Sequence, residues 1–423
     1  MKNGSESAPL VVVGGGAAGM VAAWRAGSLG ARVILLERNA KLGIKLLISG
    51  GGKCNITHDG ATEELLAQFR SNESRFLKHS LYQFTNVQLV RHINERGVET
   101  YVRDDGRIFP ISGKAGDVVH ALRRSMEQAS TEIRLTTAVA ELLCDSTGIT
   151  GVRTDAGVVT TRHLVLATGG ASYPKTGTTG DGFRWLRDLG HTIIPVRPAL
   201  APILLDPTPP KEWQGVALRG CCVNAEVAGT TVASARGDLL FTHKGISGPS
   251  VLEASRDVFT AFERGPRVDI ALDLLPEQSS AELEGLFQKE LASNGGRKLE
   301  TLVELFVPQR LAPYVLTAAN VDGSIKCHQL KKEERWAILE TLKHWSIGQV
   351  KDVPLESGEV TAGGIDLHEV DPKTMKSRVI SGLYVCGEVL DIAGPIGGYN
   401  LQAAFSTGYV AGESAAKDMG VQQ

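Results

Sequence analysis

The sequence predicts an α/β fold in which a nucleotide-binding domain is interrupted by segments of different character. Near the N-terminus, the apolar run Val11–Val13 leads into a glycine-rich turn and then into a helical stretch, Met20–Ser28. The middle of the chain is rich first in β-branched stretches and then in helical patterns, and α/β character returns after about residue 346. This order is typical of a discontinuous Rossmann-like domain that carries an inserted β-barrel-like domain and a small helical subdomain.

The chain has 423 residues, which is more than one compact core usually holds, so we expect more than one domain. We place the nucleotide-binding domain at residues 1–196 and 350–423, the β-rich insertion at 197–276 and the helical cap at 277–349. In the cap, helical spacing predicts a buried stripe rather than a ligand site for Trp336, Leu339, Leu342 and Trp345.

The first turn has the pattern G-x-G-x-x-G. Gly14 permits the tight turn, Gly16 lets the backbone approach a pyrophosphate, and Gly19 lets helix and strand pack closely. A second apolar run ends in Glu37, about 20 residues further on, where a carboxylate binds ribose hydroxyls. This order predicts a dinucleotide site, and the alternative is a tight turn in an ordinary α/β unit. The other predicted contacts here are Ala18 and Arg38.

A second glycine cluster, Gly50-Gly51-Gly52, also follows an apolar run. Consecutive glycines are costly unless the backbone must lie against another group, which here would be the pyrophosphate or the flavin ring. We expect Gly51 to contact the cofactor, and Lys45 and Lys53 to supply positive charge to a phosphate. The alternative is a mobile surface loop.

Two later glycine turns complete the pattern. Thr168-Gly169 has the sequence that many flavoproteins carry beside the adenosine half of FAD. Gly387-Glu388 follows an apolar run, as a ribityl-binding turn does. Gly398, Asn400 and Leu401 lie where a helix begins, and its N-terminus would stabilise negative charge at the flavin N1/O2 edge.

The four clusters in this order predict FAD rather than NAD as the bound cofactor, because a plain dehydrogenase needs only the first cluster. The sequence has no second complete G-x-G-x-x-G unit. We therefore expect NAD(P)H to act, if at all, as a transient co-substrate without a domain of its own.

The composition indicates which classes of binding partner are expected. With 45 basic and 47 acidic residues and a net charge of -2, no global field attracts nucleic acid or membrane, although a local patch is not excluded. The six cysteines show no C-x-x-C spacing, so we predict no metal site and a reducing cytoplasm. The segment Met1–Ala8 has no signal-peptide pattern, and no apolar run reaches membrane length. The oligomeric state stays open.

Longer motifs resemble one family. The BaiN/YhiN-type NAD(P)/FAD-dependent oxidoreductases, which include aminoacetone oxidases and bile-acid enone reductases, are similar over nearly the whole chain. The motifs are residues 46–55, 240–249, 360–364, 387–391 and 397–402. The resemblance implies FAD contacts for Gly14, Gly16, Gly19, Glu37, Gly51, Glu388, Asn400 and Leu401, and a main-chain contact between Val139 and adenine. It implies no single substrate.

Each candidate catalytic residue has two interpretations. His243-Lys244 would hold a substrate anion or transfer a proton, and the alternative is a hinge or domain contact. Tyr173 and Tyr399 would stack near the isoalloxazine, or only pack beside glycine turns. Cys54 is either a redox thiol or a packed small residue. Asp181 either caps a helix or faces substrate.

The predicted reaction is hydride transfer between flavin N5 and a small organic substrate in a FAD-dependent oxidoreductase, with NAD(P)H as one candidate donor. Three alternatives remain at this stage. They are a FAD-dependent oxidase that uses dioxygen, a FAD-dependent tRNA-modifying enzyme, and a non-catalytic flavin-binding redox sensor.

Overall fold

The structure is a computed structural model that describes residues 8–265 and 267–421. The prediction that Met1–Ala8 is not a signal peptide therefore concerns, apart from Ala8, residues outside the described ranges. The chain forms two compact units. The first unit runs up to Arg197 and resumes at Val360, and the second unit is Pro198–Glu359.

The first unit begins with alternating strands and helices. Its strands up to residue 199 are β1 (Leu10–Val13), β2 (Val33–Leu36), β3 (Thr57–His58), β4 (Thr100–Val102), β5 (Arg107–Pro110), β6 (Glu132–Arg134), β7 (Val139–Asp145), β8 (Gly148–Thr154), β9 (Gly157–Thr160), β10 (His163–Leu166) and β11 (Ile193–Ala199). Its helices in this part are α1 (Ala17–Ser28), α2 (Ile44–Ile48), α3 (Thr62–Ala67), α4 (Ser71–Gln83), α5 (Asn86–Asn94), α6 (Ala115–Gln128) and α7 (Asp181–Asp188).

The second unit is a closed barrel with helices inserted into it. Its elements are β12 (Ile203–Asp206), β13 (Ala217–Val227), β14 (Thr230–Phe241), β15 (Gly245–Ser247), α8 (Pro249–Phe262), β16 (Asp269–Asp273), α9 (Ser280–Ser293), α10 (Leu299–Val303), α11 (Ala312–Ala318), α12 (Lys332–Lys343) and β17 (Trp345–Asp352). The first unit then resumes with β18 (Val360–Ile365), β19 (Leu383–Val385) and α13 (Tyr399–Asp418).

A five-stranded sheet in the order β19-β10-β1-β2-β6 forms the centre of the first unit. All of its pairings are parallel. The strands are short apolar runs, and both faces of β1 and β2 are buried, as a parallel sheet covered by helices requires. From β1 the chain continues to β2 on one side, while β10 pairs on the other, so a topological switch point lies at the carboxyl end of β1.

The β-barrel confirms the β-rich insertion that the sequence predicts. Its six strands close in the order β12-β15-β14-β13-β16-β17. Strand β17 pairs with both β12 and β16, so the barrel needs residues up to Asp352. The predicted resumption at residue 350 falls inside this strand, and the first unit resumes at Val360.

The helices between β16 and β17 share one hydrophobic core with the barrel. The predicted boundary at residues 276 and 277 thus lies within one compact unit. Leu339, Leu342 and Trp345 are buried as expected, whereas Trp336 is 41% exposed. Helix α12 ends at Lys343, so Trp345 belongs to a strand and the stripe is not one helical face. No helix in the described part of the chain is long and apolar enough to span a membrane.

Candidate functional site

The first glycine turn joins β1 to α1 at the switch point. Gly14 has φ +105°, and a Cβ there would overlap the carbonyl oxygen of Ala167 at the end of β10. A Cβ on Gly19 would overlap the carbonyl oxygen of Gly14. Gly16 differs, because its φ is ordinary and no atom lies within 4 Å of an added Cβ. The protein itself requires Gly14 and Gly19, whereas the space beside Gly16 is open for a ligand.

Glu37 ties this turn to the end of β2. The buried carboxylate accepts a hydrogen bond from the Gly15 N–H at 2.7 Å through Oε2. Its Oε1 accepts from the backbone and side-chain amides of Asn39, both at 2.8 Å. A carboxylate offers about four acceptor positions. Glu37 therefore keeps capacity for a ribose hydroxyl, and Asn39 is an orienting residue that the sequence analysis missed.

The segment that leads into Val139 is hydrogen-bonded to the backbone around Glu37. The Thr137 N–H donates to the Glu37 carbonyl at 2.9 Å, and the Thr136 N–H donates to the Asn39 carbonyl at 3.0 Å. Val139 is buried and begins β7 two residues later. The backbone of Val139, which is expected to contact adenine, therefore follows directly after residues that are hydrogen-bonded beside Glu37.

Arg38 is engaged by the protein. Its guanidinium donates to Thr179 Oγ1 at 2.7 Å and to Asp181 Oδ2 at 2.8 Å. Burial acts to raise the pKa of Asp181, but hydrogen bonds from Thr179 and Arg38 outweigh it and hold that pKa low. Asp181 is the first residue of α7, and Gly180 holds the N-cap position before it. The Asp181 side chain instead anchors Arg38.

Lys45 and Glu388, two predicted cofactor contacts, bind each other. Lys45 Nζ lies 2.6 and 2.8 Å from the Glu388 carboxylate oxygens and 2.7 Å from Ser172 Oγ. Glu388 Oε1 also accepts from the Thr361 N–H at 2.8 Å. Glu388 thus balances the charge that Lys45 was expected to supply to a phosphate, and Lys53 remains exposed. Ser172 and Thr361 were missed, although Thr361 lies in a motif that supports the resemblance.

The second glycine cluster folds as a 3-10 turn, Ser49–Gly52. Gly50, Gly51 and Gly52 have φ values of +56°, +66° and +85°. The Cβ of a residue at position 51 would meet no atom within 4 Å, so this backbone is open to a ligand. Cys54 is fully buried, and burial raises the pKa of its thiol to about 12. The protonated thiol favours the packing role over the redox role.

Two buried polar atoms near these turns have no hydrogen-bond partner among the described residues. They are Thr168 Oγ1 and Asn55 Oδ1. A buried group without a partner costs free energy unless a ligand or water satisfies it. Thr168 follows β10, and Asn55 follows the 3-10 turn, so both atoms fit a polar cofactor. Gly169 beside Thr168 has φ +74°. The sequence analysis missed Asn55.

Helix α13 begins where the flavin contacts are expected. Gly398 precedes it with φ +96°, and a Cβ there would overlap the backbone of Thr57. The Asn400 side chain is used internally, because it accepts from the Gly394 N–H and donates to the Gly394 carbonyl, both at 2.8 Å. Asn400 and Leu401 can therefore offer their main-chain N–H groups, which have no partner within the helix.

Gly387 supports the same region from the end of β19. Its N–H donates to Thr407 Oγ1 of α13 at 3.0 Å, and its φ is +77°. An added Cβ would lie 2.8 Å from the Cβ of Ala18. Ala18 and Gly387 therefore pack against each other, so the first and fourth clusters are adjacent.

Of the four candidate catalytic residues, Tyr173 and Tyr399 lie in the first unit, and His243 and Lys244 lie in the second. Tyr399 is buried, and its ring stacks on His58 with centroids 4.9 Å apart. Tyr173 is partly exposed with φ +50°. His243 and Lys244 are exposed in the β14–β15 turn of the second unit. Tyr399 has packing contacts, and the catalytic roles of all four stay predictions.

The fold and these turns define a Rossmann-type protein built to hold a dinucleotide, with a closed barrel inserted into its chain. The model of the HI0933-like protein Rossmann domain matches residues 8–414. The chain therefore belongs to the HI0933-like family.

Curated relatives are similar over nearly their whole length. The ribosomal RNA dihydrouridine synthase of Escherichia coli is 31% identical over 96% of this chain and 97% of its own. The 3-dehydro-bile acid delta(4,6)-reductase of Clostridium scindens is 29% identical over 96% of this chain and 98% of its own. The chain is a flavoprotein oxidoreductase of this family.

Solved structures support the fold. The 3-ketosteroid delta1-dehydrogenase of Sterolibacterium denitrificans matches with a TM-score of 0.55 and 15% identity, over 98% of this chain and 100% of that chain. The FrdA chain of E. coli quinol fumarate reductase matches with a TM-score of 0.53 and 15% identity, over 98% and 70%. At this identity the likeness concerns the fold alone.

Proposed function

We propose that this protein is a FAD-dependent reductase that saturates a carbon–carbon double bond conjugated to a carbonyl group. The similarity to two differently named relatives carries the proposal. Dihydrouridine is uridine reduced at C5–C6, a bond conjugated to the C4 carbonyl. A 3-dehydro delta(4,6) bile acid has double bonds conjugated to its 3-oxo group. The two names share a reaction class although the substrates differ greatly in size.

In this proposal the first unit holds FAD. When bound, FAD would supply a hydride at N5 for the carbon β to the substrate carbonyl. Glu37 accepts from a ribose hydroxyl, Gly16 and Gly51 leave room for the pyrophosphate, and the first amides of α13 stabilise negative charge. The proposed contacts are Gly14, Gly16, Ala18, Gly19, Glu37, Arg38, Lys45, Gly51, Lys53, Val139, Thr168, Gly169, Gly387, Glu388, Gly398, Asn400 and Leu401.

The reaction requires two electrons and two protons. We propose that NAD(P)H supplies the hydride equivalent as a transient co-substrate, and that a protein group or water protonates the carbon α to the carbonyl. His243, Lys244 and Tyr173 have exposed or partly exposed side chains, which suits them for substrate contact. Tyr399 would act by holding the start of α13. A cytoplasmic location would supply the nucleotide.

Anaerobic stopped-flow spectroscopy tests this function. The oxidised holoenzyme is bleached with NADH or NADPH, and candidate acceptors are then added: free uridine, a uridine-containing RNA, and a 3-oxo-4,6-diene steroid. We expect at least one to reoxidise the flavin and yield the saturated product, whereas the matched saturated compound leaves it reduced. Rapid reoxidation by dioxygen alone would favour the oxidase instead. Flavin that no nucleotide bleaches would contradict the proposed donor.

A further inference from the structure

Two short segments of the second unit bring basic side chains together. Lys298 and Lys326 are antiparallel bridge partners. The flanking backbone continues the pairing, because the Leu299 N–H donates to the Ile325 carbonyl and the Cys327 N–H to the Arg297 carbonyl, both at 2.9 Å. Arg297 and Lys298 therefore lie beside Lys326.

The chain then extends this group toward α12. A 3-10 turn, Cys327–Gln329, leads to Lys331, which precedes the helix, and to Lys332, its first residue. The five cations are all exposed, and none forms an ion pair within the described ranges 8–265 and 267–421. We call them the basic strip: Arg297, Lys298, Lys326, Lys331 and Lys332.

Acidic side chains flank the strip but form no ion pair with it in the described part of the chain. Residues 295–298 and 326–332 contain no Asp or Glu, whereas Glu300, Asp322 and Glu333 border these segments, so the strip keeps only a small local excess of positive charge. Glu334 accepts from the Lys331 N–H at 2.9 Å and so caps the helix. Glu333 is exposed and forms no ion pair with a described residue. Adjacent like charges repel each other, and an extended anion would relieve that repulsion.

An exposed aromatic residue, Trp336, lies on the same helix as Lys332. Trp336 lies one turn after Lys332, so the two share a helix face. Trp336 is 41% exposed and lines a recess of about 640 Å³ together with Leu283, Ala319, Glu340 and His344. Cations that follow a backbone, beside an aromatic face on which a base stacks, are the combination used for single-stranded nucleic acid.

We propose that the basic strip and Trp336 form an RNA-binding surface, in which the strip contacts phosphates and Trp336 stacks on an unpaired base. The inference rests on the proposed function, because an unsaturated base in RNA is one of its two substrate types. The near-neutral net charge of -2 excludes a global field but not this local one. A small enone would need no row of cations.

Fluorescence anisotropy with the FAD-loaded enzyme and a labelled RNA stem–loop carrying a uridine-rich loop tests the surface. In the triple variant K326A/K331A/K332A we expect weaker binding, with the slope of log K against log salt reduced by about 0.7 per lysine. Trp336→Ala should weaken binding roughly tenfold with the salt slope unchanged, and Trp336→Phe should retain most of the affinity.

The matched control is K211A/R264A/K351A, which removes the same charge from exposed positions of the same unit. It should bind RNA like the wild type. The proposed RNA-binding surface would be overturned if the control lost as much RNA affinity as the strip variant, or if the strip variant bound RNA like the wild type. It would also be overturned if polyglutamate competed for the protein as well as unlabelled RNA does. A wild type that binds no RNA would overturn it as well.

Reduction of the 3-oxo-4,6-diene steroid separates the two proposals. We expect the flavin of the strip variant to be bleached by the nucleotide at the wild-type rate, and any small acceptor that the wild type reduces to be reduced equally, which shows an intact fold and flavin site. An enzyme that reduces the enone but ignores RNA overturns the surface and leaves the reductase standing. An enzyme that binds RNA through the strip but reduces no conjugated bond overturns the reductase instead.

Discussion

Gly16 and Gly19 lie in the same turn, but an added methyl group would meet different surroundings. At Gly19 it would overlap the Gly14 carbonyl, so Gly19→Ala should lower the free energy of unfolding of the apoprotein by about 1–3 kcal/mol. At Gly16 it would project into open space. We expect Gly16→Ala to leave apoprotein stability unchanged and to weaken FAD binding. Urea unfolding of the apoprotein and FAD titration measure both, and unweakened binding by Gly16→Ala would show that Gly16 does not face the cofactor.

The Lys45–Glu388 pair has a structural and a cofactor interpretation, which substitution separates. Lys45→Met leaves the partly buried Glu388 without its cation, so we expect a loss of about 1–3 kcal/mol in unfolding free energy of the apoprotein. The exposed Lys53→Met is the control and should change stability little. If Lys45→Met instead weakens FAD binding without destabilising the apoprotein, Lys45 serves a phosphate rather than Glu388.

At the scale of elements, α1 and α13 pack unusually closely. A Cβ at Gly408 would overlap the carbonyl oxygen of Ala18, and a Cβ at Gly412 that of Ala22. The spacing Gly408-x-x-x-Gly412 was visible in the sequence and could have predicted this contact. Because α13 also presents its N-terminal amides to the proposed flavin site, the packing of these two helices determines the position of that N-terminus.

Alanine substitutions test this packing. Gly408→Ala and Gly412→Ala should each lower the melting temperature of the apoprotein, equivalent to about 1–3 kcal/mol, because the backbones cannot approach as closely. Gly285 of α9 is the matched control, since a Cβ there meets nothing within 4 Å. Gly285→Ala should stabilise by up to about 1 kcal/mol through helix propensity. Equal stabilisation at all three positions would show that the α1–α13 contact is not tight.

At the scale of the whole molecule, buried histidines make stability depend on pH. The ring of His92 packs against Trp24 with centroids 3.8 Å apart and the planes tilted by 43°, and its Nε2 lies 2.9 Å from Ser125 Oγ. Burial, with a smaller contribution from Arg96, lowers the pKa of His92 from 6.5 to about 3. Burial also lowers the pKa of His191, against the opposing effect of Glu369. In the unfolded chain both groups bind protons at higher pH than in the folded state.

The stabilising contribution of neutral His92 is therefore fully present above pH 6.5 and is lost as the pH falls toward 3. Between about pH 7 and 5, we expect the unfolding free energy of the wild type to fall by about 1–2 kcal/mol more than that of His92→Gln. Urea unfolding across this range measures the difference. Carboxylates titrate mostly below it, so parallel curves would mean that His92 is not buried as a neutral ring.

The predictions from sequence succeed where a structural feature is determined by residues close together in the chain. The turn at Gly14 needs positive φ, and short apolar runs in this order favour buried parallel strands, so the first α/β unit was predictable from its own residues. Trp336 shows the limit. Helical spacing predicts that residues share a face, but which face is covered depends on elements distant in the chain, and α12 leaves Trp336 exposed.

The nucleotide-binding fold, its interruption by a β-rich segment and the family all follow from residues in sequence, because glycine turns, apolar runs and long motifs are local signals. Three features depend on tertiary structure: the closure of the barrel by β17, the pairing of Lys45 with Glu388, and the proximity of Lys298 to Lys326. Each of these three features joins residues that are far apart in the chain. The free energy of such contacts depends on which segments meet in the folded protein. Composition and periodicity do not specify which segments meet.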